Sequence, residues 1–375
     1  MLAFGKAPLV LGKRRFCFFP FFACLHTRDT VDLVSSLVLF GSPNAYPPKK
    51  ASSQQNIMSQ TKLHSRRTAL KSLAALAIAA IPAPFLAPSI AHAADTVRVL
   101  AASYPALLAA RTALEGVDNF ECSLLTDAQR GCPHDYAMTP QDRMKLEGAD
   151  VLILSGKGYE AFLDERLLAS LKGLVIDAGK DVPLLEERKA LSSHNHAHAH
   201  GDTNPHHFAN PACFALMVET IAKGLSERFP EASQKLAANA KAFSEKASLL
   251  ESKLASLSRD RGEDTHLVLQ HDTLSWFFAG TSFPVDAILQ EGDAQSPSAA
   301  LLLSLAQTMK KSGKSHLLVG DKQFPTDVLD LLARESGGTI VLLDTLVSGP
   351  ADAGASHYLA TMEANVAALH KALGK

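Results

Sequence analysis

Aromatic residues are scarce in this chain of 375 residues: a single Trp, five Tyr and 18 Phe make up 6%. Cysteine is scarcer still, with five in all, so a small scaffold stapled by disulfides is excluded. Beyond the first hundred positions no 18 apolar residues run together, which excludes a polytopic membrane protein. A net charge of -1 excludes a strongly basic nucleic-acid binder. What remains is 47% hydrophobic and 20% charged, rich in Ala and Leu, and long enough for two domains around a large core.

The charge is unevenly spread. Residues 1–93 hold 11 of the 37 Lys and Arg but 2 of the 38 Asp and Glu, which leaves 26 against 36 afterwards and a net charge near -10. Within that basic stretch, residues 62–93 have the order of an export signal. Lys62, Arg66, Arg67 and Lys71 precede an apolar run from Leu73 to Ile90, and Ala91, His92 and Ala93 form a small-x-small cleavage site before Ala94. Pro82, Pro84 and Pro88 argue against a buried or anchoring helix there. SRRTALK (Ser65 to Lys71) is similar to a twin-arginine signal, although Ala69 replaces the Phe of that pattern and leaves general secretion open. Met58 stands where a signal peptide would start, so residues 1–57 are expected to be a wrongly assigned upstream extension. An exported acidic chain suits cations better than nucleic acid or anionic lipid. In an oxidising compartment Cys122 and Cys132 are expected to close a short disulfide, with Cys213 left over.

After Ala94, apolar β-rich runs at 97–101, 120–125, 151–154 and 174–177 alternate with helical stretches at 106–114, after Thr139 and Pro140, and at 159–171. A second alternation begins at 266, with strands at 266–270, 284–288, 316–319 and 339–343 and a helix opened by Ser296 and Pro297. Both sets imply parallel α/β lobes. Between them, residues 231–260 lack Gly and Pro and carry one apolar stripe: Leu236, Ala240, Phe243, Ala247, Leu250, Leu254 and Leu257. The stripe fits either a coiled-coil seam or a spine on which both lobes pack, and a lobe on each side favours the spine. The expected organisation is an N-terminal lobe at 94–229, a linking helix at 230–261 and a C-terminal lobe at 262–375.

Six of the 15 His lie in SHNHAHAHGDTNPHH (193–207), an exposed loop without apolar periodicity. Clustered imidazoles suit zinc-like ions rather than magnesium or calcium. His194, His196, His198, His200 and His207 are expected to be auxiliary, weaker metal ligands. His134, His271 and Asp344 each fall at or shortly after a strand, and the carboxyl ends of parallel strands are where such lobes bind ligands. With His206 they make an N3O set, suited to zinc and compatible with manganese.

Five blocks then carry a resemblance over about 97–373. PHDYAMTPQDRMKLEGADVLILSG (Pro133 to Gly156), NPHHFANP (Asn204 to Pro211), QHDTLSWFF (Gln270 to Phe278), VGDKQF (Val319 to Phe324) and LLDTL (Leu342 to Leu346) occur in order. Together they resemble the solute-binding proteins of zinc and manganese ABC importers, the ZnuA and TroA type. The resemblance implies two α/β lobes joined by one long helix, with metal in the cleft held by His134, His206, His271 and Asp344. His207 and Phe208 replace the usual Trp of the second block, which leaves His207 as a rival to His206. Asp321 stands where many members have Glu and rivals Asp344. The resemblance further implies a monomeric periplasmic zinc carrier that delivers Zn2+, or alternatively Mn2+ or iron, to a membrane permease with its ATPase. A metal chaperone or adhesin without a transporter is the alternative. No HExxH helix, GxSxG elbow or phosphate loop supports a hydrolase, so no enzyme is expected.

Overall fold

The computed structural model describes residues 96–129, 131–133, 136–185, 204–261, 264–290 and 296–375. The export segment, the upstream extension, His134 and the loop imidazoles His194, His196, His198 and His200 lie outside the described residues. Among the described residues no helix is long and apolar enough to cross a membrane.

Four parallel strands, β1 (Val97–Ala101), β2 (Phe120–Leu124), β3 (Val151–Leu154) and β4 (Leu174–Asp177), form the first sheet in the order β2-β1-β3-β4. All four residues of β3 are buried, because a strand covered on both faces has no polar side to alternate with. The helices α1 (Tyr104–Ala113), α2 (Pro140–Gly148) and α3 (Glu165–Ser170) occupy the connections. At the start of α2, Thr139 and Asp142 cap each other's backbone reciprocally behind Pro140. The helix expected at 159–171 is shorter, beginning only at Glu165 with Asp164 as its cap. Three successive left-handed residues, Gly156, Lys157 and Gly158, turn the chain away from a helical path just before it. Gly156 has no substitute: at φ 87° a Cβ there would meet Asp177 Oδ1 at 1.9 Å.

The second sheet repeats the arrangement with β5 (Thr265–His271), β6 (Val285–Gln290), β7 (Ser315–Asp321) and β8 (Thr339–Leu343), parallel and in the order β6-β5-β7-β8. Its helices are α6 (Leu274–Phe277), α7 (Ala299–Ser312), α8 (Asp327–Ser336) and α9 (His357–Ala372). The cap of α7 is Ser298, whose hydroxyl accepts from Leu301 N–H, so Pro297 falls outside the helix it was expected to open. For labels in chain order, α4 (Pro211–Arg228) and α5 (Ser233–Arg259) lie between the sheets, joined by a 3-10 turn at Pro230–Ala232.

With 27 residues α5 runs about 40 Å. Every residue of its predicted stripe is buried, against α4, α1 and α9 of the same chain, which accounts for the stripe without a dimer seam. One core runs from the inner face of the first sheet (Val99, Val151, Ile153) through that stripe to the inner face of the second (Leu267, Leu269, Val319). Each outer face has its own smaller cluster, around Leu100 and Leu152 in one lobe and Val268 and Leu318 in the other. Both sheets belong to one unit, Leu86–Lys375.

A second tie joins the lobes beyond α5. After β8 the chain crosses to the first lobe, where Gly349 N–H donates to Ala128 O, Gln129 Nε2 donates to Gly349 O, and Arg111 donates to Ala351 O and Ala353 O. The ring of Tyr358 at the start of α9 then stacks on Phe214 of α4 at 3.6 Å, and its hydroxyl donates to Phe208 O.

Cys122 and Cys132 do not form the expected disulfide; they and Cys213 are thiols. Cys122 pairs in register with Val99 inside the sheet and packs against the core, where burial pushes its thiol up to about 12. Cys132 lies instead next to His206, its Sγ 3.5 Å from Nε2.

Candidate metal site

In a sheet of order 2-1-3-4 the connections leave in opposite directions on either side of the first strand, and the crevice this opens at the carboxyl ends is the natural ligand site. In the second sheet that point lies between β5 and β7, and their last residues are His271 and Asp321. Asp344 follows directly after β8, one strand further out.

His271 is fully buried. Its Nδ1 is engaged by its own turn, 2.6 Å from Thr273 Oγ1 and 3.0 Å from Asp272 Oδ1, and its ring stacks on Phe324 at 4.5 Å. Nε2 is therefore the nitrogen presented away from the turn. On the first lobe's side, Asn204 holds His206 twice: its Oδ1 accepts from the His206 backbone N–H at 3.0 Å and lies 2.8 Å from Nδ1. Because a carbonyl oxygen only accepts, Nδ1 carries the proton and the lone pair is on Nε2, the tautomer a metal requires. Asn204 is itself fixed from the other lobe, its side-chain amide donating to Asp272 O and its backbone carbonyl accepting from Trp276 Nε1. The two rings, His206 and His271, meet edge-on at 81° with centroids 5.8 Å apart.

Of the adjacent pair, His206 faces His271. His207, grouped above with the exposed loop imidazoles, is instead fully buried in the first lobe, near Gly179 and Trp276, and neither ring nitrogen has a hydrogen-bond partner. Burial pushes its imidazole down to about 4, and the Pro205 and Ser155 backbone opposes this without meeting hydrogen-bond geometry. A buried ring of this kind stays neutral and cannot join a solvated loop cluster.

The two carboxylates differ in what already holds them. Asp321 is fully buried with both oxygens engaged: Oδ2 by the Thr345 hydroxyl at 2.5 Å and Oδ1 by Gln323 N–H at 3.1 Å. Burial lifts its carboxyl to about 6, against those hydrogen bonds and the nearby His271, with Asp344 adding to the rise. Asp344 is half-buried, and its carboxylate hydrogen bonds, from Leu346 N–H at 2.9 Å and Gln323 Nε2 at 3.1 Å, fall on Oδ1. Its backbone is clamped by Asn365, which accepts from Asp344 N–H and donates to Asp344 O. Asp344 thus keeps oxygen capacity for a cation, whereas Asp321 is built into the base of the second lobe.

Among the described residues no three His, Cys, Asp or Glu side chains are gathered around one point as a bound metal needs. His206 and His271 are brought together, Asp321 lies beside His271, and His134 is outside the described residues. Spacing did not reveal Asn204, Thr273 or Cys132 as neighbours of the imidazoles. For Asn204 the available signal was its place two residues before His206, the reach of an Asx turn.

The family model described as zinc-uptake complex component A, periplasmic, matches residues 101–372. Among curated proteins, the chain is 26% identical over 245 residues to the zinc-binding lipoprotein AdcA of Streptococcus pneumoniae, covering 63% of this chain and 48% of that one. It is 28% identical over 242 residues to the high-affinity zinc uptake system protein ZnuA of Yersinia pestis, covering 58% and 74% respectively. The chain therefore spans about half the length of the first of these relatives. Among solved structures, the solute-binding protein FpvC of Pseudomonas aeruginosa in complex with Mn2+ aligns with a TM-score of 0.63 at 22% identity, over 75% of this chain and 99% of that one, which shows the same fold. The matched region takes in both sheets except the first four residues of β1, with every strand-end residue described above, and the chain belongs to the ZnuA family, zinc-uptake complex component A.

Proposed function

We propose that this protein is the periplasmic high-affinity zinc-binding component of an ABC importer, capturing the ion in the cleft between its lobes and handing it to a membrane permease served by an ATPase. The observation that carries the reading is the pair His206 and His271, one from each lobe, with rings 5.8 Å apart and each oriented through Nδ1. Imidazoles oriented through hydrogen bonds of this kind are what zinc sites use. His134 supplies the third imidazole and Asp344 the oxygen, while His194, His196, His198 and His200 offer weaker capture outside the cleft. Family membership and the zinc named in the AdcA and ZnuA relatives support zinc over manganese. The signal at 62–93, cut after Ala93, would deliver the protein to the periplasm. Binding is this chain's whole task in the scheme, without a catalytic step.

Zinc affinity measured by competition with a chromophoric chelator tests this. His206→Ala and His271→Ala are each expected to weaken the tight site by about 100-fold or more, since even outer-shell changes cost about 10–100-fold. Deleting residues 193–201 is expected to remove only weaker additional equivalents. Loss of the tight site on that deletion alone would overturn the cleft reading.

A further inference from the structure

Among the described residues the Tyr104 hydroxyl is one of the buried polar groups without a hydrogen-bond partner. Tyr104 is 2% exposed, so bulk water does not reach the oxygen. Tyr358 donates to Phe208 O and Tyr136 to Asp142, whereas Tyr104 donates to nothing. A buried phenol left in this way costs stability, and such a group calls for an explanation.

Tyr104 opens α1 directly after β1, beside the crevice between β1 and β3 at the carboxyl end of the first sheet. The backbone there is held firmly. Pro105 sets the first turn, and the Ser103 hydroxyl donates to the buried Glu160 carboxylate, which also accepts from Ser155 and Gly156 N–H. The end of the Tyr104 ring rests on Gly349 of the crossing segment, where a Cβ would collide with the hydroxyl. Asp344 lies five positions earlier in the same segment, so the hydroxyl of a first-lobe residue sits against the stretch that carries the candidate oxygen ligand of the second. The Asp344 carboxylate is held only from its own lobe, by Leu346 N–H and Gln323 Nε2, both on Oδ1. Burial pushes the Tyr104 phenol up to about 12, with Asp344 and Asp352 adding to the rise and Arg111 opposing it. The phenol therefore keeps its proton at neutral pH and is a donor.

Resting on the cleft reading above, we infer that Tyr104 is a positioning residue for the cation site: as the lobes tilt together, its hydroxyl donates to the Asp344 carboxylate and fixes that carboxylate toward the ion. A ligating carboxylate is itself hydrogen-bonded in well-ordered metal sites, and such outer partners tune affinity. This hydrogen bond spans the lobes, so it also favours retention of the ion once captured.

Tyr104→Phe removes one oxygen and keeps the ring on Gly349. Because the hydroxyl has no partner to lose, chemical denaturation of the metal-free variant is expected to give a midpoint equal to the parent's or higher. Zinc affinity by chelator competition is expected to fall by about tenfold, the lower end of outer-shell losses, through faster release of the ion in stopped flow. In an Asp344→Ala background the same change is expected to have no further effect, since the hydroxyl acts through that carboxylate. In an Asp352→Asn background the loss is expected to persist, which separates Asp344 from the other acidic neighbour. Equal zinc affinity of Tyr104→Phe and parent, a loss undiminished in Asp344→Ala, or a metal-free variant less stable than the parent would each overturn the inference. With the tight site still lost in His206→Ala and His271→Ala, the cleft reading would stand. Absence of any tight zinc site in the parent would overturn both.

Discussion

Asn204 is the residue on which the geometry of the candidate site turns. One side chain accepts from His206 twice and donates to Asp272 O in the facing lobe, while the backbone carbonyl of Asn204 takes the indole N–H of Trp276. Removing it frees the His206 ring to change tautomer and leaves Asp272 O without its donor. Asn204→Ala is expected to weaken zinc binding by about 10–100-fold and to lower stability by roughly 1–3 kcal/mol for the unmade hydrogen bonds. Chelator competition and chemical denaturation measure the two effects separately. An unchanged affinity would mean that His206 orientation does not matter. At this scale the residue types of the blocks were readable, and so was the pair His206 and His207 as candidates. The orientation of neighbours was not: His207 is adjacent in sequence yet turned into the lobe, since consecutive residues at the 3-10 turn His207–Ala209 point in different directions.

The start of α2 shows how an element can depend on one titrating group. Burial opposes ionisation of Asp142, but hydrogen bonds from Thr139 and Tyr136, aided by Lys145, outweigh it and hold the carboxyl down to about 2. An acid whose folded value lies below its unfolded value of 3.8 adds stability at higher pH, and the contribution disappears as pH falls from about 4 to 2. The contribution at neutral pH is roughly 2 kcal/mol. Asp142→Asn is expected to lower the denaturation midpoint at pH 7, and the gap between variant and parent is expected to close toward pH 2. A gap independent of pH would locate the effect elsewhere. The elements themselves were largely legible: Thr139 and Pro140 announced α2, and the four-and-three spacing announced α5. Legibility ended where a backbone conformation intervened, as at Gly156 to Gly158, whose left-handed run no pattern of apolar residues encodes.

For the whole molecule, α5 and the crossing segment after β8 tie the lobes at two places. The Tyr358 and Phe214 stack, buried between α9, α4 and α5, adds a rigid contact. A chain held in this way is expected to tilt its lobes slightly on binding metal and not to swing them as a single hinge allows. Solution X-ray scattering of the metal-free and zinc-loaded protein is therefore expected to give the same radius of gyration within error. A clear contraction on loading would show that the ties yield. The length and regularity of α5 forecast the first tie. The second was invisible, because Arg111 and Ala351 are 240 positions apart and meet only through the fold.

From the sequence alone came the two parallel α/β sets and the spine with its buried face, while the short list of imidazoles and carboxylates was singled out by the resemblance of the five blocks. The sets and the spine depend on local order: periodicity, capping and the placement of residues along a strand. Strand order, and with it the crevice flanked by His271 and Asp321, emerged only in three dimensions. So did the different surroundings of His206 and His207, the contrast between Asp344 and Asp321, and the position of Cys132 beside an imidazole instead of Cys122. The physical reason is common to all four: each depends on which distant segments pack together and on how far burial removes a group from water, quantities that belong to the folded chain.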